Sequence, residues 1–88
     1  MIKKIVKWGT DYCAPCKALD KVLDEFTDVP VEKCNADDED LLEACLKANI
    51  RSVPTLIFYN EEDEEVARNI GFITLEALRE KIKALNEN

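Results

Sequence analysis

Histidine is missing altogether from the 88 residues. Its absence removes the commonest general base and metal ligand together, so Cys–His and Ser–His catalysis are both excluded. Basic residues are short: 12 lysines and arginines stand against 19 acids, a net charge of −7. Nucleic acid and anionic membrane need a basic footprint, so neither is expected as a partner. Long apolar runs are missing too; the stretches present fall far below the roughly 20 residues needed to cross a bilayer. Met1-Ile2-Lys3-Lys4 leads straight into strand-like sequence, with no extended apolar segment and no small-residue cleavage site. No signal peptide is expected, and a reducing cytoplasm is the expected location.

What is present is 47% hydrophobic and 35% charged, a balance that suits a folded globular chain rather than a disordered one. The length fits one domain over residues 1–88 with room for a single core. Ile2 to Trp8 reads as a short strand, and Gly9-Thr10-Asp11-Tyr12 as the loop leaving it. From Pro15, apolar residues fall at Leu19, Val22, Leu23 and Phe26, the stripe of a helix with one buried face. That helix is predicted to end near Thr27-Asp28, ahead of Pro30. Val29 to Cys34 is a second strand, and Asn35 to Asp38 supplies turn and N-cap chemistry for a helix through Leu41, Leu42, Cys45 and Ala48. Val53 to Tyr59 is strand-like, Asn60 to Glu64 is a polar turn, and Val66 to Ile70 is a weaker strand paired back on it. Gly71 breaks that strand, and Thr74 caps a last helix with Leu75, Leu78, Ile82 and Leu85 on its stripe. Strand–helix–strand implies a parallel pair with a right-handed crossover, and the acidic turn implies a terminal hairpin. A central sheet with helices on both faces follows.

The most informative segment is Cys13-Ala14-Pro15-Cys16, placed where strand pattern turns into helix pattern. Two cysteines at this spacing can close a small disulfide. At a helix start the first sulfur faces unpaired N–H groups and the positive end of the macrodipole. Both favour the thiolate, the species that attacks disulfides. Lys17 adds positive charge beside it. The same pair could be half of a zinc site, but Cys34 and Cys45 form no second Cys-x-x-Cys knuckle, so no metal is expected. Cys34 and Cys45 read as small buried hydrophobes, with regulatory oxidation the alternative. Glu61 to Glu65 reads as a solvated hairpin tip that discourages edge-to-edge pairing.

With these elements in this order, and with Ser52-Val53-Pro54-Thr55 and Ile70-Gly71 downstream, the chain resembles the thioredoxin superfamily in its short form. The resemblance implies an α/β thioredoxin fold, a minimal βαβαββα arrangement with a four-stranded mixed sheet flanked by three helices. It implies a protein-disulfide reductase that works through a mixed disulfide, with Cys13 attacking, Cys16 resolving and no cofactor. Pro54 matches the family's cis-proline; lacking an N–H, it leaves the Val53 backbone free to pair with an extended substrate. Tyr12, Val53, Pro54, Ile70, Gly71 and Phe72 fall where the family binds substrate, as do Arg51 and Ser52. Disulfide-containing proteins are the implied substrates of a monomer re-reduced by a flavin-dependent thioredoxin reductase.

Two departures stand out. The family's buried aspartate aligns with Lys7, while the lysine that pairs with it corresponds to Lys33. Lys7 is expected to pack its stem and send its ammonium to water, with Lys7, Lys17 and Lys33 acting only as electrostatic modulators. The second departure bears on the glutaredoxins, whose paired glycines have only Gly71 here, followed by Phe72. Glutaredoxins also lack the aspartate, so a glutathione-dependent reductase stays an alternative despite the missing glycine, and a non-catalytic thioredoxin-fold binding module is another.

Overall fold

A computed structural model describes residues 1–87. Along the chain lie β1 (Ile2–Gly9), α1 (Ala14–Glu25), β2 (Val31–Asn35), α2 (Leu42–Lys47), β3 (Thr55–Asn60), β4 (Glu65–Ile70) and α3 (Leu75–Asn86), with a 3-10 turn at Glu39–Leu41 leading into α2. The strands form one mixed sheet in the order β2-β1-β3-β4, with β1 and β2 parallel and the other pairs antiparallel. The expected architecture of a four-stranded sheet with three helices is the one observed.

Burial on both faces of the central strands explains the layering. In β1, Ile2 and Ile5 enter one apolar cluster and Val6 and Trp8 another; in β3, Leu56 and Phe58 enter the first and Ile57 the second. Successive side chains of a strand point to opposite faces, so each face needs its own cover. Leu19, Leu23 and Phe26 of the α1 segment and Leu78 and Ile82 of α3 cover the first face, while Leu41, Cys45 and Ala48 cover the second.

Element boundaries shift from the sequence expectation for local reasons. α1 stops at Glu25, because Phe26 is extended and turns its ring into the core. β2 begins at Val31, yet Pro30 still accepts a hydrogen bond from Ile5 N–H at 3.0 Å. α2 is short; Asp38 caps the preceding 3-10 turn through its side chain, and Asn49 leaves the helix at φ 56°. β3 starts at Thr55 rather than Val53, since Pro54 has no N–H to give a ladder. The hairpin is closed by Asn60, whose Oδ1 accepts from Glu62 and Glu64 N–H groups at 3.0 and 2.9 Å. Thr74 caps α3 as expected, accepting from Ala77 N–H at 3.1 Å.

Leu56 lies fully buried at the centre of the first cluster. Leu56→Ala is expected to lower the unfolding free energy by about 2–5 kcal/mol, as measured by urea denaturation; a loss under about 1 kcal/mol would contradict this placement.

Candidate active site

Gly9 ends β1, and the chain turns through Thr10-Asp11-Tyr12 into α1. Proline in the first turn of α1 costs little, because its missing N–H would have no helical acceptor. Cys13 is the N-cap: it is extended, and its Sγ accepts a hydrogen bond from Cys16 N–H at 3.1 Å. Its carbonyl accepts from Lys17 N–H at 3.1 Å. The sulfur therefore occupies the place where a capping oxygen would sit, against the positive end of the helix. Cys13 and Cys16 are joined as a disulfide, with Cα atoms 5.1 Å apart. Cys13 is part-exposed whereas Cys16 is only 1% exposed.

The sheet register brings the second half of the site alongside. Trp8 pairs with Thr55 and Thr55 with Ile70. This lines up the end of β1, the start of β3 and the end of β4. The Val53–Pro54 peptide bond is cis. Pro54 is buried, and its carbonyl accepts from Gly71 N–H at 2.8 Å. Gly71 sits at φ +94°, a conformation open to glycine but strained for other residues. Around this edge Tyr12 is 95% exposed, Ile70 67% and Phe72 49%. Val53 is half-buried, and Arg51 and Ser52 are exposed on the preceding bend.

Lys7 departs from expectation. Instead of extending freely into water the side chain is held in: the residue is 6% exposed, and Nζ lies 3.0 Å from Asp20 Oδ1. Lys33, paired with Lys7 across the parallel strands, reaches the same oxygen at 3.6 Å and Asp24 at 3.2 Å. Like charges side by side on a sheet repel. A carboxylate inserted between them from α1 offsets that repulsion and draws the Lys7 ammonium towards the helix. Asp20 Oδ1 is buried and, among the described residues, accepts no hydrogen bond; its contact with the ammonium is one of charge. Asp20 was not singled out in the sequence, although one signal was there. It follows Cys16 by four residues, which places both on one helix face.

A cleft of about 310 Å³ opens over this cluster, lined by Lys7, Gly9, Asp11, Lys17, Asp20 and Lys33 among others. Gly9 forms its floor, since a Cβ there would lie 2.7 Å from Lys7 Nζ and 3.2 Å from Cys16 Sγ. Cys34 is also among the residues lining this cleft, whereas Trp8 and Cys45 are not. Trp8 is buried in the second cluster, against which Cys34 and Cys45 pack, half-exposed. Burial and the Glu32 carboxylate raise the Cys34 thiol above its ordinary range, with Lys4 opposing. No grouping of carboxylates and thiols suited to a metal occurs among the described residues.

The family model described as Thioredoxin matches residues 2–84. The chain is 30% identical to a thioredoxin of Mycoplasmoides gallisepticum over 90 residues, covering 92% of this chain and 82% of that one. It is 31% identical to thioredoxin C-2 of Corynebacterium nephridii and to thioredoxin-2 of Saccharomyces cerevisiae, spanning 64% and 65% of their lengths and 76% of its own in each case. Among solved structures, thioredoxin O2 from Arabidopsis thaliana in its oxidized state superposes with a TM-score of 0.77 at 24% identity, over 96% of this chain and 75% of that one. A malarial protein superposes at 0.80 with 19% identity, over 92% and 93%. Those two likenesses concern the fold.

The packing around Gly9 has a measurable consequence. A lysine tip can normally swing away from a new methyl group, but this one is enclosed and ion-paired. Gly9→Ala is expected to cost about 1–3 kcal/mol through overpacking. Its cost should fall in a Lys7→Ala background, as a double-mutant cycle would measure; strict additivity would show that the two positions do not press on one another.

Proposed function

The chain belongs to the thioredoxin family and is a thiol–disulfide oxidoreductase of disulfide-containing proteins, and from that premise we propose that Cys13 is its attacking sulfur and Cys16 its resolving one. The observation that carries this assignment is the cap: Cys13 Sγ takes the N-cap position of α1 and accepts Cys16 N–H. A thiolate formed there gains from the free N–H groups and the helix dipole. Reduction begins when the Cys13 thiolate attacks a substrate sulfur, breaking the substrate disulfide and releasing one substrate thiolate. Cys16 then attacks Cys13 Sγ. The protein disulfide closes, and the second substrate sulfur leaves with the electron pair. Cys16, buried one turn along, is shielded from direct attack by substrate and suited to the intramolecular step.

Tyr12, Val53, Pro54, Ile70, Gly71 and Phe72 form the proposed substrate groove. Its support is an apolar rim at the dithiol end of the sheet, with Tyr12, Ile70 and Phe72 exposed. The Pro54 carbonyl is already taken by Gly71 N–H, which leaves Val53 as the backbone available to an extended substrate strand. The chain acts with a reductase partner, for which we propose a flavin-dependent thioredoxin reductase. Phe72 follows Gly71 where a close backbone approach by glutathione would favour a second glycine, and the apolar rim suits a protein segment better than an anionic tripeptide. A monomer of one domain working in the cytoplasm completes the proposal. For the membrane, what the fold offers is that no helix of the described residues is long and apolar enough to cross one.

Reduced Cys16→Ser, challenged with a disulfide-bonded substrate, is expected to accumulate a mixed disulfide through Cys13, visible by mass spectrometry. Cys13→Ser should trap little and lose insulin reduction by about a hundredfold or more. Equal alkylation of the two thiols near pH 7 would overturn the division of labour, and a wild type inert towards insulin would favour a binding module.

Turnover with NADPH and a thioredoxin reductase is expected to exceed turnover with glutathione and its reductase by about tenfold or more. Efficient use of glutathione alone would assign the chain a different electron donor.

A further inference from the structure

Dithiol exchange by itself gives no reason for a lysine to be buried beside the resolving cysteine. Burying an ammonium is costly even when it is paired, and an apolar residue in that row of β1 would pack equally well against fully buried Leu56, its neighbour across the sheet. The ammonium instead shares a small space with sulfur. The position of a Gly9 Cβ is 2.7 Å from Lys7 Nζ and 3.2 Å from Cys16 Sγ, so both groups crowd the same point above the Gly9 backbone. Burial of Cys16 at 1% exposure works against its thiolate, and a nearby cation is what opposes that effect.

The charged groups around this point balance, three lysines against three aspartates, and the one that shares the space over Gly9 with Cys16 Sγ is the Lys7 ammonium. From β1 comes Lys7, from β2 Lys33, and from α1 the single carboxylate Asp20 that contacts both. Asp24 contacts Lys33 but is largely exposed. Lys17 and Asp11 line the same cleft with opposite charges, and the β3 side presents Leu56, which carries none.

We propose that the Lys7 ammonium holds Cys16 as its thiolate for the resolving step, and that Asp20 is the positioning residue that keeps the ammonium in place. The inference rests on Cys13 as the attacking and Cys16 as the resolving sulfur. In the mixed disulfide, the Cys16 thiol gives its proton to water in the cleft. The thiolate electron pair forms the Cys16–Cys13 bond while the bond from Cys13 to substrate breaks, and the substrate sulfur departs with that pair and is protonated from solvent. The protein dithiol is oxidised and the substrate reduced, two electrons passing with no further reactant.

The test uses the reduced full chain carrying Cys34→Ala and Cys45→Ala, mixed in stopped flow with dithiobis-nitrobenzoate. The first thionitrobenzoate released reports attack by Cys13, and the second reports resolution by Cys16. In Lys7→Met, and in Lys7→Gln should the methionine variant not fold, the second phase at pH 7 is expected to slow by about tenfold or more, its pH midpoint moving up by about one unit. The first phase should stay within about threefold, and Lys7→Arg should restore the second to within about threefold, because it keeps the charge. An unchanged second phase and midpoint in the folded neutral variant would overturn the proposal. So would an arginine variant as slow as methionine, since charge would then not be the cause. A wild type that releases the first thionitrobenzoate and never the second would overturn the cysteine assignment itself, a failure visible before any Lys7 variant is made.

Discussion

The two central strands carry apolar side chains on both faces, and the rest of the molecule answers that constraint. Ile5 and Val6, or Ile57 and Phe58, point in opposite directions from neighbouring positions. A sheet so patterned cannot present either face to water without losing the burial that drives folding. The right-handed crossover puts α1 on one face, where α3 returns to join it, and α2 with its lead-in turn covers the other. Peripheral strands β2 and β4 need less cover and are correspondingly less buried. The edge strand β4 holds its exposed side through charge, with Arg68 forking onto Glu65 at 2.6 and 2.7 Å. That contact lowers the Glu65 carboxyl below its ordinary range, so whatever stability it lends is present at neutral pH and fades as acid protonates the glutamate.

Against this apolar plan the row Lys33–Lys7–Leu56 stands out, because two lysines of adjacent parallel strands share it. The helix that brings Cys16 to the sheet also brings Asp20 one turn later. The site's sulfur and the counter-charge to its buried lysine are thus delivered by the same element. A carboxylate on the strand with a lysine across from it would be one way to set charge beneath a buried thiol. Here the signs are redistributed, with the cation on the central strand and the anion on the helix, and Gly9 remains small to let both the ammonium and the sulfur approach its backbone.

At the other side of the dithiol, backbone rather than charge does the work. Cys13 replaces a capping oxygen, Pro15 takes a helical position that needs no donor, and Pro54 closes a hydrogen bond with Gly71 that ties the start of β3 to the end of β4. These contacts hold the exposed apolar residues Tyr12, Ile70 and Phe72 near one edge of the sheet, on segments separated by dozens of positions in the chain.

Periodicity and local chemistry alone carried much of this. The apolar residues of β1, the stripe Leu19, Val22, Leu23, Phe26, and the punctuation at Pro30, Asn60 and Gly71 are local signals, so element order and fold were legible in the sequence. The redox pair was legible too, because Cys13 and Cys16 sit three positions apart at a strand-to-helix junction whose physics is local. The ends of elements were less legible: β3 begins only where a ladder partner exists, and α1 stops where the core claims Phe26. The environment of Lys7 was not legible from its own strand. A lysine in a strand reads as a stem with a solvated head, and nothing nearby in sequence contradicts that. Only the packing of α1 across β1 and β2 brings Asp20 between Lys7 and Lys33, because an ion pair between residues thirteen positions apart depends on where two elements meet rather than on either alone.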